Sequence, residues 1–207
     1  MEFLVEKVGM SRTMDVPSIP VTLLKVLPAK VCEVSEDKNK NSLVAYSQGK
    51  QHNKAIEGKQ KKFSLSKEFN KFASITTNNE TVGDLDTSIL SEAKLLRTTF
   101  NTKGRGFAGV VKRWGFAGGP GGHGHRMGRT TGSIGNAEYP GRVMKGKKMP
   151  GQYGNTTNSL RNDVVSFDEA SGILVLKGSV SGPNGALGKI KVVKWIKQYY
   201  YQTHSPN

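Results

Sequence analysis

The sequence is poor in the residues that build metal and disulfide sites: its 207 positions hold one cysteine and four histidines. The single cysteine, Cys32, excludes an internal disulfide and any zinc site made of several thiolates. His123 and His125 are closely spaced, but no carboxylate or thiol stands near them, so we expect no metal site. No apolar run approaches the roughly 20 residues of a membrane span. Glu2 and Glu6 stand where a signal peptide would be basic, so we expect a cytoplasmic protein without a membrane partner.

Acidic residues are scarce in one block, and basic residues are abundant there. The chain holds 31 Lys and Arg for a formal net charge of +15, and residues 103–161 contain 11 of them beside one acid, Glu138. The same block holds 16 of the 25 glycines. Burial of so few apolar side chains does not offset the entropy lost on ordering these glycines. The block is therefore predicted to be mobile alone and to fold against a polyanion, with nucleic acid as the first candidate.

Both flanks of this block are predicted to form β-structure. Short runs rich in Val and Leu are separated by prolines, glycines and polar turns, a spacing typical of antiparallel strands. The same pattern predicts that Cys32 is a buried strand residue. The predicted strands are PVTLLKVL (20–27), AKVCEV (29–34), SLVAYS (42–47), LRNDVVSFD (160–168), GILVLKGSV (172–180) and LGKIKVVKWI (187–196), with weaker patterns at TVGDLDTSIL (81–90) and AKLLRTTF (93–100).

A small helical insertion is predicted where Ser66 can cap the segment SKEFNKF. The basic run at 50–62 is interpreted either as a solvated loop or as a second nucleic-acid contact, and the Tyr-rich C-terminal tail as frayed. The predicted fold class is mainly β. Residues 1–102 together with 162–207 are predicted to form a β-barrel platform, and residues 103–161 a long, irregular, basic, Gly-rich extension that binds RNA.

An enzyme is the alternative from another class. Residues Gly104 to Gly109, followed by Val111, match the glycine-rich loop of protein kinases, whose backbone amides approach phosphates, but no other kinase motif follows. Residues Gly141 to Lys148 have P-loop spacing, yet Lys148 stands where Ser or Thr must hold magnesium. One carboxylate in the block leaves no acid–base pair. We predict no enzyme, with a nucleotide-binding enzyme using Gly104–Gly109 and a nonspecific architectural nucleic-acid binder as alternatives.

The side chains of the basic block predict an RNA contact surface. Lys and Arg neutralise phosphates and release counterions, whereas aromatic and His rings stack on unpaired bases. Gln152 offers both donors and an acceptor for a base edge. The candidate RNA-binding residues are Lys103, Arg105, Lys112, Arg113, Trp114, His123, His125, Arg126, Arg129, Arg142, Lys145, Lys147, Lys148, Gln152, Tyr153 and Asn155.

Several segments of the block resemble one protein family. KGRGFAGVVKR, GFAGGP, HGH, GSIG, PGRVMKGKKM and GQYGN occur in the order and spacing of the ribosomal protein L3 family of the large subunit, in its bacterial form. The segments LVEKVGMSR and LVLKGSVSGPNG are similar too, so the resemblance covers nearly the whole chain. The chain departs from the family at Trp114, where His is common, at Pro150, where Ala is usual, and in its Tyr-rich tail.

The resemblance implies a six-stranded β-barrel whose extension threads through large-subunit rRNA toward the peptidyl transferase centre. It implies a structural constituent that binds 23S-type rRNA, nucleates assembly near the 3′ end of that rRNA and contacts neighbouring ribosomal proteins. No cofactor and no small-molecule substrate are expected. The segment 151–155 is implied to form the functional tip nearest the catalytic RNA. Gln152 matches a glutamine that is methylated in some members, so a glutamine methyltransferase is a further expected partner.

Overall fold

The computed structural model describes residues 1–34, 41–49, 52–77 and 81–193, and within them the chain forms twelve strands and three helices. The strands are β1 (Glu2–Arg12), β2 (Pro20–Val26), β3 (Ala29–Val34), β4 (Asn41–Tyr46), β5 (Lys71–Thr76), β6 (Gly83–Asp84), β7 (Leu95–Asn101), β8 (Phe107–Ala108), β9 (Gly151–Gln152), β10 (Thr157–Asp168), β11 (Ile173–Lys177) and β12 (Leu187–Val192). The helices are α1 (Lys54–Lys62), α2 (Ile89–Glu92) and α3 (Val110–Trp114).

Six antiparallel strands close into a barrel in the order β1-β12-β7-β10-β11-β2. Burial alternates along β7, β11 and β12, and the fully buried side chains of the barrel include Phe3, Leu24, Leu96 and Phe100. A Cβ at position 188 would overlap the ring of Phe100, so Gly188 leaves the space that this ring fills. The mainly-β fold class is confirmed, and so is the six-stranded barrel that the family resemblance implies.

Four strands of the N-terminal flank form a second sheet outside the barrel. Its four antiparallel strands have the order β5-β4-β3-β6, so the predicted strands at 29–34 and 42–47 belong to this sheet and not to the barrel. One face contributes Val31 and Val44 to the large core, while the other packs Cys32 and Ala45 against Phe69. The prediction that Cys32 is a buried strand residue is confirmed, and burial raises the pKa of its thiol.

The predicted position of the helix is wrong. Residues 66–70 are irregular with a turn at 67–68, because Phe69 packs beside Cys32, and Phe72 lies in β5. The helix is α1 instead, in the basic run interpreted as a solvated loop or a second nucleic-acid contact. Its N-terminus is capped by Asn53, whose side-chain oxygen accepts a hydrogen bond from the Ile56 amide at 2.8 Å.

Two further predictions differ from the structure. Residues 81–90 were predicted as a weak strand, but they hold only the two-residue strand β6 and the start of α2. Strand β1 was not predicted, although it pairs with both β12 and β2 in the barrel. The predicted continuation of the last strand from 194 to 196 and the Tyr-rich tail lie outside the described residues.

The chain divides into two compact units. One comprises Met1–Asn101 with the chain from Thr157 onward, and the other, the basic unit, comprises Thr102–Thr156. Strand β10 begins at Thr157 and pairs with β7, so residues 157–161 are barrel residues in the structure. The basic unit contains β8, α3 and β9, and the rest of it consists of turns and irregular segments.

Candidate nucleic-acid interface

The two ends of the basic unit pair with each other in an antiparallel ladder. We call residues 102–108 and 151–156 the closing ladder. The Arg105 amide donates to the Tyr153 carbonyl at 2.8 Å, and the Tyr153 amide donates to the Gly106 carbonyl at 2.8 Å. Strands β8 and β9 continue the pairing. Main-chain hydrogen bonds therefore hold the closing ladder together, and its side chains take no part in this pairing.

The backbone turns sharply where the returning strand passes Lys103. Gly154 has a φ of 74° and Asn155 a φ of 52°, both in the left-handed region. A Cβ on Gly154 would overlap the carbonyl of Lys103, so only glycine allows this approach. The Arg105 guanidinium lies 5.2 Å from the centre of the Tyr153 ring, which gives a cation–π pair in the ladder.

A second group of predicted residues meets at the end of helix α3. The Arg113 Nη1 and the Trp114 Nε1 both donate to the Met149 carbonyl, at 2.7 and 2.8 Å. The Arg113 guanidinium lies 5.0 Å from the Trp114 ring centre and the Lys148 ammonium 5.8 Å. The indole is held in place although 42% of Trp114 is exposed. The result is an ordered aromatic surface between two cations.

The histidines lie in a glycine-rich turn. The Gly119 amide donates to the Gly128 carbonyl at 3.0 Å, and the His125 Nδ1 accepts from the Met127 amide at 3.2 Å. Gly119, His125 and Met127 border a depression of about 320 Å³. His123 is exposed and has a φ of 57°. The His125 ring thus accepts a hydrogen bond within the turn, whereas the His123 side chain is exposed to solvent.

The other predicted Lys and Arg residues are exposed: Lys103 lies in the closing ladder, Lys112 in α3, and the rest in turns and irregular segments. The basic unit is described throughout; it holds ten Lys and Arg and one acid, and no ion pair forms among its residues. The Lys and Arg side chains of the unit therefore repel one another and attract anions, because a single acid stands among them. The exposed predicted residues outside the two cation–aromatic groups are Lys103, Lys112, Arg126, Arg129, Arg142, Lys145 and Lys147, together with Gln152 and Asn155 of the closing ladder.

The segment expected to form the functional tip lies in the closing ladder. Gln152 pairs with Phe107 in the register of β9 and β8, and the side chain of Gln152 is exposed. Phe107 is 78% exposed and Tyr139 is 87% exposed, and the sequence reasoning missed both as candidate stacking residues. The sequence alone could have identified both as exposed, because each is an aromatic residue in a block with few apolar neighbours to bury it.

The glycine-rich segment is not arranged as a phosphate loop. The Arg105 amide, which such a loop would offer to a phosphate, already donates to the Tyr153 carbonyl. Among residues 1–34, 41–49, 52–77 and 81–193, no group of three or more His, Cys, Asp or Glu side chains is placed to hold a metal ion. No helix in these ranges is long and apolar enough to cross a membrane.

Comparison with known proteins gives a consistent result. The family described as "Ribosomal protein L3" matches residues 30–167. The large ribosomal subunit protein uL3 of Wolinella succinogenes is 63% identical over 194 residues, which cover 94% of this chain and 100% of the relative. The uL3 protein of Helicobacter pylori is 59% identical over 93% of this chain and 100% of its own length. The Thermotoga maritima protein of the same name is 37% identical over 93% and 97%.

Proposed function

This chain belongs to the ribosomal protein L3 family, a family of structural proteins and not of enzymes, and from that premise we propose that it binds large-subunit rRNA directly through the basic unit. Its partners are large-subunit rRNA and neighbouring ribosomal proteins, and its location is the large ribosomal subunit in the cytoplasm. The finer roles proposed below concern where on the rRNA it acts.

One observation carries the proposal: the Lys and Arg side chains of the basic unit form no ion pair, and all but Arg113 are exposed, while two of its aromatic rings are held in place. Each unpaired Lys or Arg that meets a phosphate releases condensed counterions, and no intramolecular ion pair must first be broken. Tyr153 and Trp114 add surfaces on which unpaired bases can stack. This combination suits a folded RNA with single-stranded segments better than a regular duplex.

We extend the proposal to the place of binding. The basic unit reaches toward the peptidyl transferase centre, and the protein nucleates early assembly near the 3′ end of the 23S-type rRNA. The support is the order and spacing of the family segments between residues 103 and 155. Because the carboxamide of Gln152 is exposed, a glutamine methyltransferase can reach it. Methylation would remove one donor and add an apolar contact.

Co-sedimentation tests the central claim. The purified full chain is incubated with large-subunit rRNA or with duplex DNA of equal nucleotide content and sedimented at increasing salt. We expect the protein to stay with the rRNA at moderate salt and to leave the DNA at lower salt. Equal retention on both would favour a nonspecific binder, and release from the rRNA at low salt would refute the proposal.

A further inference from the structure

A groove of about 640 Å³ opens beside helix α1, in the unit that contains the barrel. Its volume falls within the roughly 300–1,000 Å³ of sites that hold small ligands. Leu65 is the one apolar side chain among its lining residues, and the others are polar or charged. The lining residues are His52, Glu57, Gln60, Lys61, Ser64, Leu65 and Lys67.

The walls of this groove are fixed by hydrogen bonds. Gln60 is buried, and its Nε2 donates to the carbonyl of Phe69 at 2.8 Å and to that of Lys67 at 3.3 Å. These bonds tie the last turns of α1 to the segment that follows it. The Asn53 cap fixes the other end of the helix. The groove is therefore a feature of the folded chain and not of a loop alone.

The chain around the groove is mainly basic. Residues 52–72 hold six Lys and two Glu. Lys59 and Lys62 lie over the rings of Phe72 and Phe63, at 5.0 and 4.9 Å. Lys61 lies one turn beyond Glu57, yet within the described part of the chain neither Lys61 nor Lys67 forms an ion pair. Both ammonium groups are exposed beside the cavity and available to an anion.

We propose that this groove holds one unpaired nucleotide of the large-subunit rRNA, a contact separate from the basic unit. Lys61 and Lys67 neutralise its flanking phosphates, and its base lies on Leu65. Glu57 accepts a hydrogen bond from an exocyclic amine, which favours cytosine, adenine or guanine over uracil. An acidic peptide fits less well, because Glu57 would repel it. A membrane surface is disfavoured too, because α1 lacks an apolar face, with only Ile56 and Gln60 of its residues withdrawn from solvent.

This inference rests on the proposed rRNA binding, and a charge-neutralising pair of substitutions tests it separately. Lys61→Gln with Lys67→Gln removes two phosphate partners. The matched control, Lys25→Gln with Lys177→Gln, removes two exposed lysines from barrel strands β2 and β11. Each variant is titrated with a large-subunit rRNA transcript over a range of salt concentrations, after its thermal melt has been compared with that of the wild type.

The slope of log K against log salt is expected to shrink by up to about 1.4–1.8 for the groove variant, since each lost contact removes about 0.7–0.9. The control slope should not change, and Lys61→Arg with Lys67→Arg should retain the wild-type slope even if the Gln variant folds poorly. Direct ultraviolet crosslinking to unmodified rRNA should label the peptide spanning residues 61–67. Equal slopes for groove and control variants, or the absence of any crosslink between this peptide and the rRNA, would overturn the inference. A wild-type chain that fails to bind rRNA would refute the proposed function instead.

Discussion

Replacing Gly154 by alanine is the sharpest test of how the closing ladder is held together. This glycine combines a left-handed backbone with a position where an added Cβ would overlap the Lys103 carbonyl. The neighbouring atoms are main-chain atoms, so no side-chain rotation can relieve the overlap. The two strands must move apart, and the paired hydrogen bonds between Arg105, Gly106 and Tyr153 lie next to the overlap.

The cost follows from these contacts. Alanine in a left-handed conformation costs about 1–2 kcal/mol. Loss of the two 2.8 Å hydrogen bonds adds about 1 kcal/mol each. The free energy of opening the closing ladder should therefore fall by about 3–4 kcal/mol. Since each 1.4 kcal/mol is a factor of ten, amide exchange in the ladder should accelerate by about a hundredfold or more.

The ladder itself supplies graded controls. Gly106 has a φ of 65° but nothing within 4 Å of an added Cβ, so Gly106→Ala should cost only the backbone strain. At Gly104 the Cβ would meet the Asn155 Cβ at 3.5 Å, an ordinary contact, so Gly104→Ala should be nearly neutral. Exchange is measured at the Arg105 and Tyr153 amides in the free chain.

The barrel gives an internal reference, and exchange at Thr98 in β7 should not respond to any of the three substitutions. Residues 117–148 should exchange rapidly in all variants. If Gly154→Ala accelerates ladder exchange no more than Gly106→Ala does, the overlap with the Lys103 carbonyl does not matter and the reasoning fails.

Three other substitutions or reactions test other parts of the molecule. Lys145→Ala, Lys147→Ala and Lys148→Ala together should reduce the salt slope of rRNA binding by up to about 0.7–0.9 per lost contact, and an unchanged slope would mean that these lysines face solvent in the complex. Gln152→Ala should leave the barrel melting temperature unchanged but slow the assembly of active large subunits, and normal yield and peptide-bond formation would contradict the role proposed for this residue. Cys32 should react with iodoacetamide at pH 8 at least about tenfold more slowly in the folded chain than in urea, because burial raises its thiol pKa and lowers the thiolate fraction; equal rates would show that the site is open.

The strand pattern was predictable where apolar residues recur, and the helix was not. Periodicity identifies strands whose side chains enter a core, which is why β2, β4 and β10 were anticipated. Helix α1 has no apolar face to reveal it and is anchored by a buried amide, Gln60, and an Asn53 cap. Gln60 anchors the helix by donating to carbonyls of the segment that follows it, and no pattern of residues within the helix predicts these hydrogen bonds. Ser66 carried a capping signal, but the burial of Phe69 took precedence over it.

The composition of the basic unit predicted a polyanion partner, but it could not predict which side chains would be grouped. Arg113, Trp114 and Lys148 meet because one carbonyl, that of Met149, accepts from both the guanidinium and the indole. Arg105 meets Tyr153 because the closing ladder sets their register. Both groupings depend on residues more than 30 positions apart, whose pairing is a property of the folded chain.

The closing ladder pairs its main chain internally and leaves the charges of the basic unit without ion pairs. Where Arg105, Gly106 and Tyr153 pair through the backbone, no carboxylate is needed to hold the strands together, and none is present except Glu138. An ion pair in place of these bonds would have to be broken before a phosphate could bind, and part of the binding energy would be lost. The irregular segments between α3 and β9 lack such a ladder, so under the proposed function we expect rRNA to supply the contacts that order them. Binding should therefore combine a salt-dependent electrostatic gain with an entropic cost from ordering these segments. Affinity at the basic unit should rise when the free chain is made less flexible there, provided that no cation is removed.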